Sequence, residues 1–198
     1  SARNPCQYHH LAIERKAASM VATRPLTVAE FAEEHREGRW ELIDGEPVEM
    51  TPSSNESSWI AGEIFGHLWS YLRSHPIGRA FPADAGFVIF ADRDTVRAPD
   101  VAFVRLERLP ALSRTFVAVP PDLAVEVLSP SDRLADALSK VSMYLQAGVP
   151  LVWLIDPVRR TAMVFQPDTL PVIIDEHGVL DGEDILPGFS LPLETLFT

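Results

Sequence analysis

Leu123-Ala124-Val125-Glu126-Val127-Leu128 is an almost wholly apolar run, and Leu151-Val152-Trp153-Leu154-Ile155 is another. Between them, residues 131–146 carry a helical pattern that stops at Gly148. Two short apolar runs without alternation, joined by a helix, read as a β-α-β unit, so that part of the sheet is expected to be parallel. Ser129-Pro130-Ser131-Asp132 reads as the helix entry, with a side-chain cap beside a proline.

Working outward, Asp156-Pro157 turns the second strand, and residues 161–166 and 171–175 read as a closing hairpin. Gly188 to Leu193 is expected to be a covering segment. Upstream, Gly86–Ala91 and Pro99–Val104 read as strands separated by the charged turn Asp92-Arg93-Asp94, and 105–121 as a loop. A long helix is expected over Glu56–Ser74, with Ile60, Ile64, Leu68 and Leu72 at four-residue intervals and Trp59, Phe65 and Trp69 widening the stripe. Thr27-Val28-Ala29-Glu30 has the form of a capping box, predicting a short helix to about Glu37. Trp40–Ile43 and Pro47–Met50 flank Asp44-Gly45, a two-residue hairpin signal. Tight turns imply antiparallel neighbours. The expected fold is therefore α/β (α+β), a mixed β-sheet flanked by helices with an N-terminal hairpin.

The 198 residues, 22.0 kDa, favour one domain over residues 25–198. Residues 1–24 have no clear period and are expected to be a flexible tail or an expression remnant. Composition is globular, with 46% hydrophobic and 23% charged residues, which excludes disorder for the bulk. The single cysteine, Cys6, excludes a disulfide framework and a Cys-rich zinc site. No apolar run reaches membrane-spanning length, and Glu14, Arg15 and Lys16 interrupt any signal-peptide core. A soluble, cytoplasmic protein with no membrane partner is expected. The net charge of −11 argues against a protein that coats nucleic acid electrostatically, although local basic patches remain compatible with it.

Three residues stand out. Glu126 is the only charge in a strand that otherwise reads as buried, where an ionised carboxylate costs several kcal/mol unless paired, protonated or metal-bound. A strand-end Glu facing a cleft or an Arg is the plainer alternative. Asp100 opens the neighbouring strand after Pro99, where an ordinary polar strand start is equally compatible. If the two strands lie side by side, Asp100 and Glu126 can share a hard cation such as magnesium. Lys140 follows on the helix, on one face with Asp136 and Tyr144. It is either a solvated partner of Asp136 or a lysine aimed at the sheet edge. Fifteen of the seventeen basic residues are Arg, the others being Lys16 and Lys140, and only Lys readily releases a proton. Glu41 by itself reads as a surface strand residue. Zinc spacings, phosphate loops and a nucleophile elbow are all absent from the sequence.

Pro99-Asp100, then Glu126-Val127-Leu128-Ser129, then a helix with Lys140 and Tyr144 before Gly148–Pro157, resembles the PD-(D/E)XK nuclease superfamily. More closely it is similar to the bacterial Uma-type restriction-endonuclease family, whose opening hairpin Trp40–Glu46 also matches. The resemblance covers about residues 25–195. It implies a restriction-endonuclease-like core and an endonuclease hydrolysing DNA phosphodiester bonds with Mg2+, or Mn2+. It further implies metal ligation by Glu41, Asp100 and Glu126, with Lys140 positioning water or offsetting charge. Leu128 stands where the usual motif has its lysine, which shifts that role to Lys140. Asn55-Glu56-Ser57-Ser58 stands where relatives often carry a histidine. A second class of function is a catalytically silent nuclease fold used for nucleic-acid binding or for assembly, for instance as a homodimer. Arg93, Arg97, Arg105, Arg108, Arg133, Arg159 and Arg160 are the candidates to offset the acidic charge near DNA.

Overall fold

The computed structural model describes residues 24–35 and 38–197. The expected tail lies outside these, apart from Arg24, which pairs with Glu30. Helix α1 (Val28–Glu34) begins at the anticipated capping box and closes at His35, short of the expected Glu37, a residue outside the described set. Strands β1 (Trp40–Ile43) and β2 (Glu46–Glu49) form the first hairpin. Its Asp44 and Gly45 both take positive φ (48° and 81°), the conformation that favours Asp-Gly in a two-residue turn. Pro47 lies on β2, an edge strand, where its missing N–H costs no ladder bond.

Helix α2 (Asn55–Ser74) buries Ile60, Ile64 and Leu68. Full burial of each such side chain contributes about 1.5–3 kcal/mol. After it come β3 (Gly78–Pro82), β4 (Phe87–Phe90), β5 (Thr95–Arg97), β6 (Val101–Arg105) and β7 (Leu123–Val127). Helix α3 (Leu134–Gln146) leads to β8 (Leu151–Asp156), β9 (Thr161–Phe165) and β10 (Val172–Ile174). The chain ends in β11 (Val179–Gly182), β12 (Leu186–Pro192) and a 3-10 turn, Leu193–Phe197.

The main sheet has six strands in the order β10-β9-β8-β7-β6-β3. Only β7 and β8 are parallel, as the β-α-β reading requires, and the other pairs are antiparallel. A second sheet runs β2-β1-β5-β4, and β11-β12 form a separate hairpin. The main sheet separates two cores. Phe103, Val125 and Trp153 pack with α2 and β12, while Ala102, Ala124 and Leu154 pack with Ala137, Val141 and Tyr144 of α3. A third cluster, Phe31, Leu42 and Val96, holds α1 to the second sheet.

Several elements differ from the sequence reading. The stretch between Gly86 and Val104 is three strands, not two, because Thr95–Arg97 returns from the charged turn to pair with both β4 and β1. Strand β3 carries no signal in the sequence. It lies at the main sheet's edge, begins with a glycine and ends with a proline, so it lacks the apolar signal of an interior strand. Gly78 is required there, since a Cβ would stand 2.2 Å from the Val104 carbonyl oxygen. The 188–193 segment is mostly strand β12, not mere covering. Helix α3 starts at Leu134 rather than 131. Asp132 accepts from Ser129 N (2.7 Å) while its own N–H donates to Ser129 O (2.9 Å), closing a turn before the helix. Arg133 then takes the N-cap position without a side-chain cap.

Candidate active site

Side chains alternate across a strand, so Glu126 shares a face with Ala124, and Asp100 with Ala102. Both alanines pack on the α3 side, which turns both acids toward that helix. The two strands are neighbours, with Val101 opposite Val125. Asp100 Oδ2 accepts from the Val127 backbone N–H at 2.8 Å, extending the pairing with a side chain where the ladder ends. Its Oδ1 takes no hydrogen bond among the described residues.

Glu126 is buried. Its Oε2 accepts from Lys140 Nζ (3.0 Å) and its Oε1 from the Tyr144 hydroxyl (2.7 Å). Lys140 and Tyr144 are one helical turn apart, so a single face of α3 delivers both donors. Lys140 therefore points at the sheet, and the alternative of a solvated pair with Asp136 does not hold. Glu41 is nearby on β1, but its oxygens are engaged elsewhere. Arg97 Nη1 donates to Oε2 at 2.6 Å and Ala98 N to Oε1 at 3.1 Å. Glu41 is thus buried, at 1% exposure, rather than the surface residue that its sequence position suggested.

The local charges do not balance. Glu41, Asp100 and Glu126 face Lys140 and Arg97; Arg39 also acts on Asp100 but is paired with Asp84, and Asp132 adds further negative charge. Burial pushes the Glu126 carboxyl up to about 7; Lys140 opposes this, while Asp100 and Glu41 add to it. Burial likewise raises Asp100, against the Val127 N–H and the charges of Lys140 and Arg39. Burial would lower Lys140, but Glu126 and Glu41 outweigh it and hold its ammonium above the ordinary lysine value. Tyr144 is driven well above the ordinary phenol value by burial and by the Glu126 charge, so it stays a donor.

Among the described residues, no group of three or more His, Cys, Asp or Glu side chains is arranged to hold a metal. A buried and a half-buried carboxylate in charge excess nevertheless fit magnesium. That ion is ordinarily bound by one or two carboxylates and completes its shell with water and substrate phosphate. Within the Asn55-Glu56-Ser57-Ser58 segment, Ser57 is buried. Its hydroxyl donates to Leu128 O (2.9 Å) and meets Ser129 Oγ (3.2 Å), tying the start of α2 to the end of β7.

Most of the arginines named for DNA are committed within the fold. Arg97 pairs with Glu41, Arg108 with Asp122, Arg159 with Asp156 and Arg160 with Glu176. Arg93 lies over the Phe90 ring, and Arg105 donates to Asp184 O. Of that set, only Arg133 makes no ion pair, hydrogen bond or cation–π contact through its side chain among the described residues.

Residues 27–194 match the model of the Uma2 family, described as "Putative restriction endonuclease". The chain belongs to this family. It is also similar to a solved structure described as a putative nuclease belonging to DUF820 from Anabaena variabilis ATCC 29413. The two share 22% identity with a TM-score of 0.72, covering 87% of this chain and 98% of that one. The likeness is one of fold. No match was found among curated proteins. No helix among the described residues is long and apolar enough to cross a membrane.

Proposed function

We propose that this Uma2 chain is a Mg2+-dependent endonuclease that hydrolyses DNA phosphodiester bonds, Mn2+ serving in place of Mg2+. The supporting observation is the pair Asp100 and Glu126 on adjacent strands, turned to one face, both raised by burial and short of positive charge. These two residues would hold the ion, which supplies charge neutralisation at the phosphate and acidifies water. Glu41 adds negative potential while its oxygens anchor Arg97.

The chain's own groups do the positioning. The Val127 N–H fixes Asp100 and leaves its other oxygen without a hydrogen bond among the described residues. The Tyr144 hydroxyl and Lys140 ammonium fix the two Glu126 oxygens. Lys140 is only partly buried and carries two further N–H donors, with which it would orient water or offset charge growing on the phosphate. The apolar strands around the pair lower the local dielectric, so each of these interactions is stronger than in water.

The test is supercoiled plasmid incubated with magnesium or manganese, comparing the parent with Asp100→Asn, Glu126→Gln and Lys140→Ala. Nicking by the parent alone supports the reading. Equal behaviour of all four chains overturns it in favour of a silent nuclease fold, and nicking that survives EDTA overturns the dependence on metal.

A further inference from the structure

A cavity of about 450 Å³ lies beside this site, between α1, the start of β1, the exposed face of β3 and the 109–117 loop. Ala98 forms part of its wall. That residue is two positions before Asp100, and its N–H is bonded to Glu41. Arg39 also lines the cavity, and its charge is felt by Asp100. The cavity wall therefore comes within two residues of Asp100, and one of its guanidinium groups acts on that acid.

Its chemistry is unlike the rest of this acidic chain. Arg39, Arg79 and Arg114 contribute three guanidinium groups. Arg39 pairs with the exposed Asp84, while Arg79 and Arg114 make no side-chain ion pair or hydrogen bond among the described residues. Trp40, Phe81 and Phe116 supply aromatic wall. The 109–117 loop that closes the cavity is pinned. Val117 N donates to Gly86 O (2.8 Å) and Val88 N to Val117 O (2.9 Å). Phe116 sits so close to Gly86 that a Cβ there would meet its ring at 2.5 Å. The wall is preformed, not assembled by a ligand.

From this we infer that the cavity receives one unpaired nucleotide of the DNA strand. The base lies among the aromatic rings, and its phosphate is held by Arg79 and Arg114. A duplex is too wide to enter, whereas one nucleotide suits a pocket of this size. Aromatic walls accept any base, and guanidinium groups match phosphate oxygens in bidentate fashion. The substrate class is then DNA carrying an extruded, overhanging or mismatched nucleotide next to the scissile bond. This rests on the nuclease reading for the identity of the polymer and extends it to substrate structure.

The experiment uses the full chain with Asp100→Asn, so that DNA stays intact. Fluorescence anisotropy at one fixed salt concentration compares a labelled hairpin duplex carrying one unpaired thymidine with its fully paired counterpart. The bulged hairpin should bind at least tenfold tighter. Arg79→Ala with Arg114→Ala should erase that preference, as should Ala111→Trp, which fills the cavity without changing charge. Circular dichroism checks that each variant is folded. Equal affinity for the two hairpins, or a preference that survives either the double substitution or Ala111→Trp, overturns the inference. Plasmid cleavage by the parent separates the two claims. Cleavage without preference removes the pocket and keeps the nuclease, while preference without cleavage does the reverse.

Discussion

Glu41 and Glu126 are both buried glutamates on β-strands, and their surroundings treat them differently. Glu41 meets a buried guanidinium and a backbone N–H, and its charge is matched within the small sheet. Glu126 meets an ammonium and a phenol, but also a second acid on the adjacent strand, and is pushed up to about 7. The first arrangement is closed and holds two elements together. The second leaves negative charge over, a cost that a fold without a use for it would shed.

The largest expected effect breaks the comparison at Glu126. Glu126→Gln should reduce plasmid cleavage at least a hundredfold, while the thermal midpoint at pH 8 does not fall, because a buried charge is removed and the partly exposed Lys140 can turn to water. Glu41→Ala should behave in the opposite way. It strands Arg97 without a partner, and breaking such a buried pair costs about 3–5 kcal/mol. A midpoint drop of roughly 10 °C in calorimetry would follow for a chain of this size. If Glu41→Ala leaves stability intact, the contrast fails.

The pH dependence sharpens the same contrast. In the fold Glu126 sits at about 7, against an ordinary value of 4.5, so the folded chain binds the extra proton. Without metal, the stability tied to this group is complete below about 4.5 and is lost as pH rises through about 7. Metal binding requires the ionised form and has the opposite slope. Thermal midpoints from pH 5 to 8 in EDTA and in magnesium should therefore diverge as pH rises, and cleavage should rise about tenfold per unit below 7 before levelling. The smallest effect is expected at Tyr144. Tyr144→Phe removes one hydrogen bond that favours the ionised acid, so cleavage should fall severalfold, the pH midpoint should move upward, and about 1 kcal/mol of stability should be lost.

The sequence made Asp100, Glu126 and Lys140 legible because a charge inside an apolar run, or a rare lysine after it, is conspicuous at single-residue range. It also revealed the parallel β7-β8 pair, since runs of buried residues and connection lengths are local signals; it allowed β6 beside β7 but left their direction open, because the 105–121 loop is too long to fix one. Glu41 looked ordinary because its partner, Arg97, is 56 positions away and belongs to β5, a three-residue strand too short to show a period. Tyr144 was visible on the Lys140 face, but its bond to Glu126 depends on how α3 crosses the sheet. The arginines were misjudged for the same reason. Whether a guanidinium is spent on a carboxylate is decided by tertiary neighbours such as Asp122 and Glu176, which no spacing rule links to Arg108 or Arg160.

The hydrogen bond from Val127 to Asp100 gives position 100 two separate duties. The acceptor oxygen finishes a strand pair, and under the proposed function the charge serves chemistry. Mutational drift would act on these duties unequally: a lineage that stopped cutting DNA could exchange the acid for asparagine at little architectural expense, whereas alanine would loosen the sheet at its centre. An asparagine at this place in a relative would therefore mark retired catalysis in an intact scaffold.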